Sequence, residues 1–170
     1  MNLETDRLCI KEITKSDAPF FLELLNTPSY KKFIADRKIS TIADAEVYLK
    51  DRLLKHHKAH GYGYYKILER ATDQIAGIVG YLNREELAHV DIGFALLPEF
   101  EGKGIAYEAS KALLDFGRDA LNFQHVVAIV QPNNPRSIKL LEKLGLSYEK
   151  TISSFDESEE LLLFAINFEA

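Results

Sequence analysis

Leu96-Leu97-Pro98-Glu99-Phe100-Glu101-Gly102-Lys103-Gly104-Ile105-Ala106-Tyr107-Glu108-Ala109 joins an apolar run, Ile92 to Leu97, to a long helical pattern. Pro98 biases Leu97 towards extended backbone and so closes the run as a strand. Ile105, Ala109, Ala112, Leu113, Phe116 and Ala120 then recur every three or four residues, which is one face of a helix. Between the two, Gly102 and Gly104 remove the side chains that would keep a ligand from the backbone. The first turn of a helix leaves N–H groups without partners, and its dipole favours an anion there. Strand, glycine turn and helix together make a phosphate cradle. A lone Gly-x-Gly is a weak signal, because an ordinary strand-to-helix turn has the same parts. The turn lacks the Gly-x-x-x-x-Gly-Lys-Ser/Thr of a triphosphate loop, and Tyr107 stands where Gly-x-Gly-x-x-Gly would place its third glycine.

At 170 residues the chain suits one domain with a sizeable core. Its 46% hydrophobic and 28% charged content is that of a soluble globular protein. A net charge of −5 argues against a general nucleic-acid or anionic-membrane surface. A cationic amine would suit the sign, although mild acidity also serves solubility alone. One cysteine, Cys9, rules out an internal disulfide and a cysteine metal cluster and fits a reducing compartment. Met1 to Arg7 is charged and lacks the apolar core of a signal peptide. No apolar run approaches membrane-spanning length. The expectation is a cytoplasmic protein without a metal.

Arg7 to Ile13 reads as a first strand, and Ser16 with Asp17 starts a helix carrying Phe20, Phe21, Leu24 and Leu25. Asn26-Thr27-Pro28-Ser29 breaks it, Tyr30 to Ile34 is a short second helical piece, and Thr41 caps a longer helix that Gly61 ends. His56 and His60, one turn apart near that end, could form a metal pair; solvated histidines complementing the helix dipole are the preferred reading. Gly61 to Leu68 and Ile75 to Leu82 are strands joined by hairpin chemistry, and Tyr62, Tyr64 and Tyr81 supply cross-strand packing or line a pocket. His89 to Leu97 is the strand before the cradle. Val126 to Val130 is a buried strand run. Asn134 then caps a helix with Pro135 at its first position, and Gly145 stops it. Tyr148 to Ile152 and Leu161 to Phe168 close the chain as two strands around an acidic loop.

The cradle resembles the acyl-CoA-binding signature of the GNAT superfamily of N-acetyltransferases, Gln/Arg-x-x-Gly-x-Gly/Ala, with Gly104 and Ala106 at the last two fixed positions. Asp91-Ile92-Gly93-Phe94 followed by Pro98 to Gly104, together with Thr5 and Arg7 of a Thr-x-Arg-Leu opening, is similar to the branch that acetylates N-termini of ribosomal proteins. Asn134-x-x-Ser137, Leu140 and Leu144-Gly145-Leu146 resemble the second GNAT motif, so the likeness covers nearly the whole chain. It departs at Glu101, where Gln or Arg is usual, since a carboxylate cannot donate to a pyrophosphate. The resemblance implies acetyl-CoA as cosubstrate, held by Leu96, Leu97, Gly102, Lys103, Gly104, Ile105, Ala106, Tyr107, Asn134 and Ser137. It implies an amine acceptor, either a protein or peptide N-terminal α-amine or a small amine such as a polyamine, amino-acid analogue or antibiotic, bound where the early helices meet. A CoA-binding module without turnover, and a homodimer, stay open. The expected fold is a single mixed α/β (α+β) GNAT-like domain over residues 1–170. It should have a mostly antiparallel twisted sheet of about seven strands with helices on both faces, splayed between the strands ending near Leu97 and starting near Val126.

Acetyl transfer needs a neutral amine, a polarised thioester carbonyl and a proton for the leaving thiolate. At pH 7 deprotonation costs about 1 kcal/mol for an α-amine and roughly 4–5 kcal/mol for a lysine. Asp91 is the leading base, at a position where some GNAT enzymes carry a catalytic glutamate. In a strand it shares one face with Gly93 and Ala95, whose small size leaves room for substrate, while Ile92, Phe94 and Leu96 face the core. A solvent-exposed aspartate at a strand edge is the plain alternative. Glu101 and Glu108 are weaker candidates. Leu141 occupies the position of the usual tyrosine acid, so Ser137, Tyr148 or water must replace it.

Overall fold

The computed structural model describes residues 1–168. Eight strands form one sheet: β1 (Asn2–Glu4), β2 (Leu8–Glu12), β3 (Tyr64–Glu69), β4 (Ile75–Leu82), β5 (Val90–Leu96), β6 (His125–Val130), β7 (Ser147–Ser153) and β8 (Glu160–Asn167), in the order β1-β2-β3-β4-β5-β6-β8-β7. Every neighbouring pair is antiparallel except β5 with β6. The mostly antiparallel mixed fold is the one expected, with β1 as an eighth strand. Three residues are too few for an alternating pattern, and β1 exists only because β2 offers it a ladder, Leu3 opposite Ile10.

Six α-helical segments lie between the strands: α1 (Ala18–Leu24), α2 (Pro28–Phe33), α3 (Ile42–Tyr48), α4 (Lys55–His60), α5 (Ile105–Asp119) and α6 (Pro135–Lys143). Leu49–Leu54 is π-helical and joins α3 to α4, making the single long helix read from Thr41. Thr41 caps it in a reciprocal box with Asp44, and Gly61 ends it at φ +79°. Thr27 caps α2 by accepting from the Tyr30 N–H. None of the helices among the described residues is long and apolar enough to cross a membrane.

The two faces of the sheet are covered differently. Tyr81, fully buried, donates its hydroxyl to the Leu113 carbonyl of α5 at 2.8 Å, so α5 covers the face carrying Tyr65, Val79 and Tyr81. On the opposite face Lys66 meets the buried Asp17, at the start of α1, with two contacts of 2.9 and 3.0 Å. Tyr64 lies on that same face. Its strand partner is Gly80, which in turn pairs with Gly93, so one tyrosine ring runs across two glycines. A Cβ at Gly80 would strike the Tyr64 backbone and the Gly63 carbonyl; one at Gly93 would strike the Tyr64 hydroxyl.

Backbone cannot retreat as a side-chain tip can. Gly80→Ala is therefore expected to cost about 1–3 kcal/mol through overpacking, seen as a lower urea midpoint at unchanged m-value. A wild-type midpoint for this variant would show that β3 and β4 are not in the close approach described.

Candidate active site

The cradle begins with backbone that only glycine adopts easily. Gly102 and Gly104 have φ of +74° and +78°, so both are required for conformation as well as for space. Gly104 is the N-cap of α5. From Gly102 to Tyr107 no backbone N–H finds an acceptor among the described residues, whereas the flanking Glu101 and Glu108 amides bond to Pro98 and Gly104 carbonyls. Six consecutive free donors (Gly102–Tyr107) at the head of a helix of 15 residues suit an anion such as a pyrophosphate. Arg7, Gly104, Tyr107, Lys111 and Lys143 line the adjoining cleft, with the Lys143 ammonium 4.2 Å from the Tyr107 ring centroid. These residues fit the phosphates of acetyl-CoA.

Two ion pairs brace the turn. Arg7 donates from Nε to Glu108 Oε1 and from Nη1 to the Lys103 carbonyl, both at 2.8 Å, and Thr5 donates to Glu108 Oε2 at 2.6 Å. The Thr-x-Arg opening thus belongs to the site, clamping the first turn of α5. Glu108 is fully engaged, and these bonds hold its carboxyl below the usual range against the opposing effect of burial, so it is no free base. Glu101 pairs with Arg136 of α6 at 2.9 Å. A guanidinium from the neighbouring helix thus stands beside position 101, and nothing about Arg136 in the sequence announced this beyond its place next to Pro135. At the head of α6, Asn134 Oδ1 accepts from the Ser137 N–H at 3.4 Å, and the Ser137 hydroxyl has no partner among the described residues.

The strands on either side of the cradle part as expected. β5 and β6 are in register only at Val90 with Val126 and Asp91 with Val127. Leu96 and Leu97 therefore end a strand whose β6-facing edge is open. Asp91 stands at the apex of the opening and is not at a solvent edge: its residue is 4% exposed. Its Oδ2 accepts from Arg84 Nε at 2.7 Å, and the Ile129 amide just beyond the parting also favours the ionised form. Burial pushes its pKa up to about 6, while Arg84 and the Ile129 amide pull the other way. The room expected beside Gly93 is filled by the Tyr64 hydroxyl. Phe155, from the acidic loop between β7 and β8, lies 5.3 Å from the Arg84 guanidinium carbon and covers this end of the pair.

Tyr148 is not brought to the apex. It pairs with Phe164, which pairs with Ala128, whereas Asp91 pairs with Val127. Successive residues of a strand face opposite ways, so Tyr148 and Asp91 lie on opposite faces, two strands apart. Tyr148 is 55% exposed and bonds Thr151 at 2.9 Å. Leu141 is buried in the core. His56 is not simply solvated, whereas His60 is exposed. His56 Nε2 accepts from the Asn83 N–H at 3.0 Å, which leaves Nδ1 as the donor to the Tyr62 carbonyl at 3.1 Å. Burial foremost, and His60 beside it, lower its pKa, as a neutral linking histidine requires. Among the described residues no group of three or more His, Cys, Asp or Glu is placed to hold a metal.

Known proteins match this arrangement. An uncharacterised N-acetyltransferase, p20, of Bacillus licheniformis is 26% identical over 163 residues, covering 95% of this chain and 90% of its own. A spermidine N(1)-acetyltransferase of Escherichia coli K12 is 26% identical over 144 residues, covering 82% of this chain and 73% of its own. RimL, a ribosomal L7/L12 α-N-protein acetyltransferase solved in complex with coenzyme A, shares the fold at a TM-score of 0.86 and 15% identity, over 100% of this chain and 99% of its own. The model of the acetyltransferase (GNAT) domain matches residues 7–147, from the arginine that clamps the cradle to the strand after α6, and the chain belongs to that family of acetyl-CoA-dependent acyltransferases.

Proposed function

We propose that the acetyl acceptor is the N-terminal α-amine of a protein or peptide, and that Asp91 takes its proton. The observation that carries this reading is the Asp91 carboxylate at the apex of the opened strands, with its pKa moved up to about 6. A base of that strength is well matched to an α-amine, whose pKa is roughly 7.7–8.0, and poorly matched to a lysine or polyamine nitrogen near about 10.4. The amide donors of Gly102 to Tyr107 hold the pyrophosphate of acetyl-CoA, Arg136 lies beside them, and the thioester enters between β5 and β6. The amine nitrogen bonds to the acetyl carbon as the carbon–sulfur bond breaks. The amine proton passes to Asp91, directly or through water, and the departing thiolate takes a proton from the Ser137 hydroxyl or water. A small amine is the second reading, favoured by the 26% identity to a spermidine acetyltransferase.

Gly104→Asp adds bulk and negative charge where the amides converge. It should abolish the calorimetric response to acetyl-CoA while the apo protein melts as a folded domain; an unchanged response would remove the cradle. Asp91→Asn keeps the shape and deletes the base, so kcat should drop about 10²-fold or more with acetyl-CoA affinity preserved. Because the base must be ionised, the wild-type rate should decline as pH falls through about 6, and Arg84→Gln should move that limb to higher pH. A wild-type kcat for Asp91→Asn from pH 6 to 9 would leave Asp91 as a structural bolt only. Coenzyme A binding without thiol release on any amine would refute turnover itself.

A further inference from the structure

The cleft beside the cradle, of about 460 Å³, is lined in part by Arg7, Lys111 and Lys143 and by Glu108 and Asp115. Arg7 is paired with Glu108 at 2.8 Å, and Lys111 bonds both oxygens of Asp115 at 2.7 Å. Two of its cations are thus matched by its two carboxylates. Among the described residues no carboxylate pairs with the third, Lys143, the last residue of α6. In a chain with a net charge of −5, this cleft has a positive balance of its own.

The Lys143 ammonium has a defined place. Leu141 and Leu144, buried on either side of it, fix the end of α6, and Gly145 stops the helix at φ +99°. The carbonyls of Leu141 and Glu142 accept from the Leu146 and Gly145 N–H groups at 3.0 Å, so this helix end does not need the lysine as a cap. Nζ stands instead 4.2 Å from the centroid of the Tyr107 ring, whose hydroxyl has no hydrogen-bond partner among the described residues. Tyr107 also closes the row of free amides, and both it and Gly104 belong to the row and to the cleft wall. Cradle and cleft are therefore continuous. An exposed cation–π contact is weak, and a charge-assisted bond to a phosphate oxygen is the stronger use of the same ammonium.

In coenzyme A the pyrophosphate joins the pantetheine arm to an adenosine that carries a 3′-phosphate. The arm takes the opened strands, which leaves the cleft adjoining the cradle for the adenosine end. We infer that Lys143, beside Tyr107, binds the 3′-phosphate of acetyl-CoA and so sets a preference for coenzyme A over its 3′-dephospho form. This rests on the cradle reading and is independent of which amine accepts the acetyl group.

Calorimetry on the full chain tests it with coenzyme A and 3′-dephospho-coenzyme A, which differ only in that phosphate. The wild type should bind coenzyme A about 10-fold more tightly, the size of one charge-assisted contact at a solvated site. Lys143→Gln should erase that ratio by weakening coenzyme A alone, with the dephospho form and the melting temperature of the free protein unchanged; Lys143→Arg should keep most of it. Because the contact is exposed, the wild-type ratio should also shrink between about 0.05 and 0.5 M salt. Equal affinities for the two ligands in the wild type, or a ratio that Lys143→Gln leaves intact, would overturn the role of Lys143 with the cradle still standing. Equal weakening of both ligands by Lys143→Gln would overturn it as well, since they share the pyrophosphate. Binding of neither ligand by the wild type would instead overturn the cradle reading on which the inference rests.

Discussion

Parallel strands β5 and β6 hold register for two residue pairs and then diverge, and the site depends on that divergence. A continuous sheet would use its inter-strand amides and carbonyls in ladder bonds, leaving no edge for a ligand inside the sheet. Divergence exposes backbone that must find partners elsewhere. At the apex the Asp91 carboxylate is held by Arg84, and the Ile129 amide favours its ionised form. One side chain thus marks where pairing ends and places a buried carboxylate there. Its burial gives it a proton affinity that a solvated aspartate lacks.

The cradle and the apex are held by contacts between distant parts of the chain. Glu108, on the first turn of α5, is fixed by Thr5 and Arg7 of the N-terminal segment, and Glu101 by Arg136 of α6. Neither pair is deeply buried, so neither contributes much to stability. Their effect is positional: two separate segments hold the ends of the glycine turn. The positive φ at Gly102 and Gly104 then aims successive amides into the same space.

Across the sheet from α5, two glycines set the packing beside Asp91. Gly80 and Gly93 let Tyr64 lie flat across the strands with its hydroxyl near Asp91. Tyr30 and Tyr48, from the early helices, meet Arg37, whose Nε reaches the Tyr30 hydroxyl at 3.5 Å and whose guanidinium carbon lies 5.9 Å from the Tyr48 ring centroid.

What the sequence alone determined is local in origin. Pro98 ends a strand, Gly102 and Gly104 turn the chain, Ile105 onward has helical period, and Asn134 with Pro135 opens α6; each follows from the preferences of a few adjacent residues. The spacing of the two motifs carried the family, and the extended runs carried the strand count except for the three residues of β1. The roles of particular side chains were decided by tertiary structure, because they hang on register between strands far apart in sequence. Asp91 was legible as a residue on the right strand, but its burial, its Arg84 partner and the tyrosine across Gly93 come from pairings of β5 with β4 and β6. Tyr148, a candidate proton donor beside Ser137 and water, falls on the other face, because a strand sends successive residues to opposite sides and the sequence does not say which residues are opposed. His56 became a link between a helix end and a loop for the same reason: charge and polarity are written in the sequence, but what meets them is set by packing.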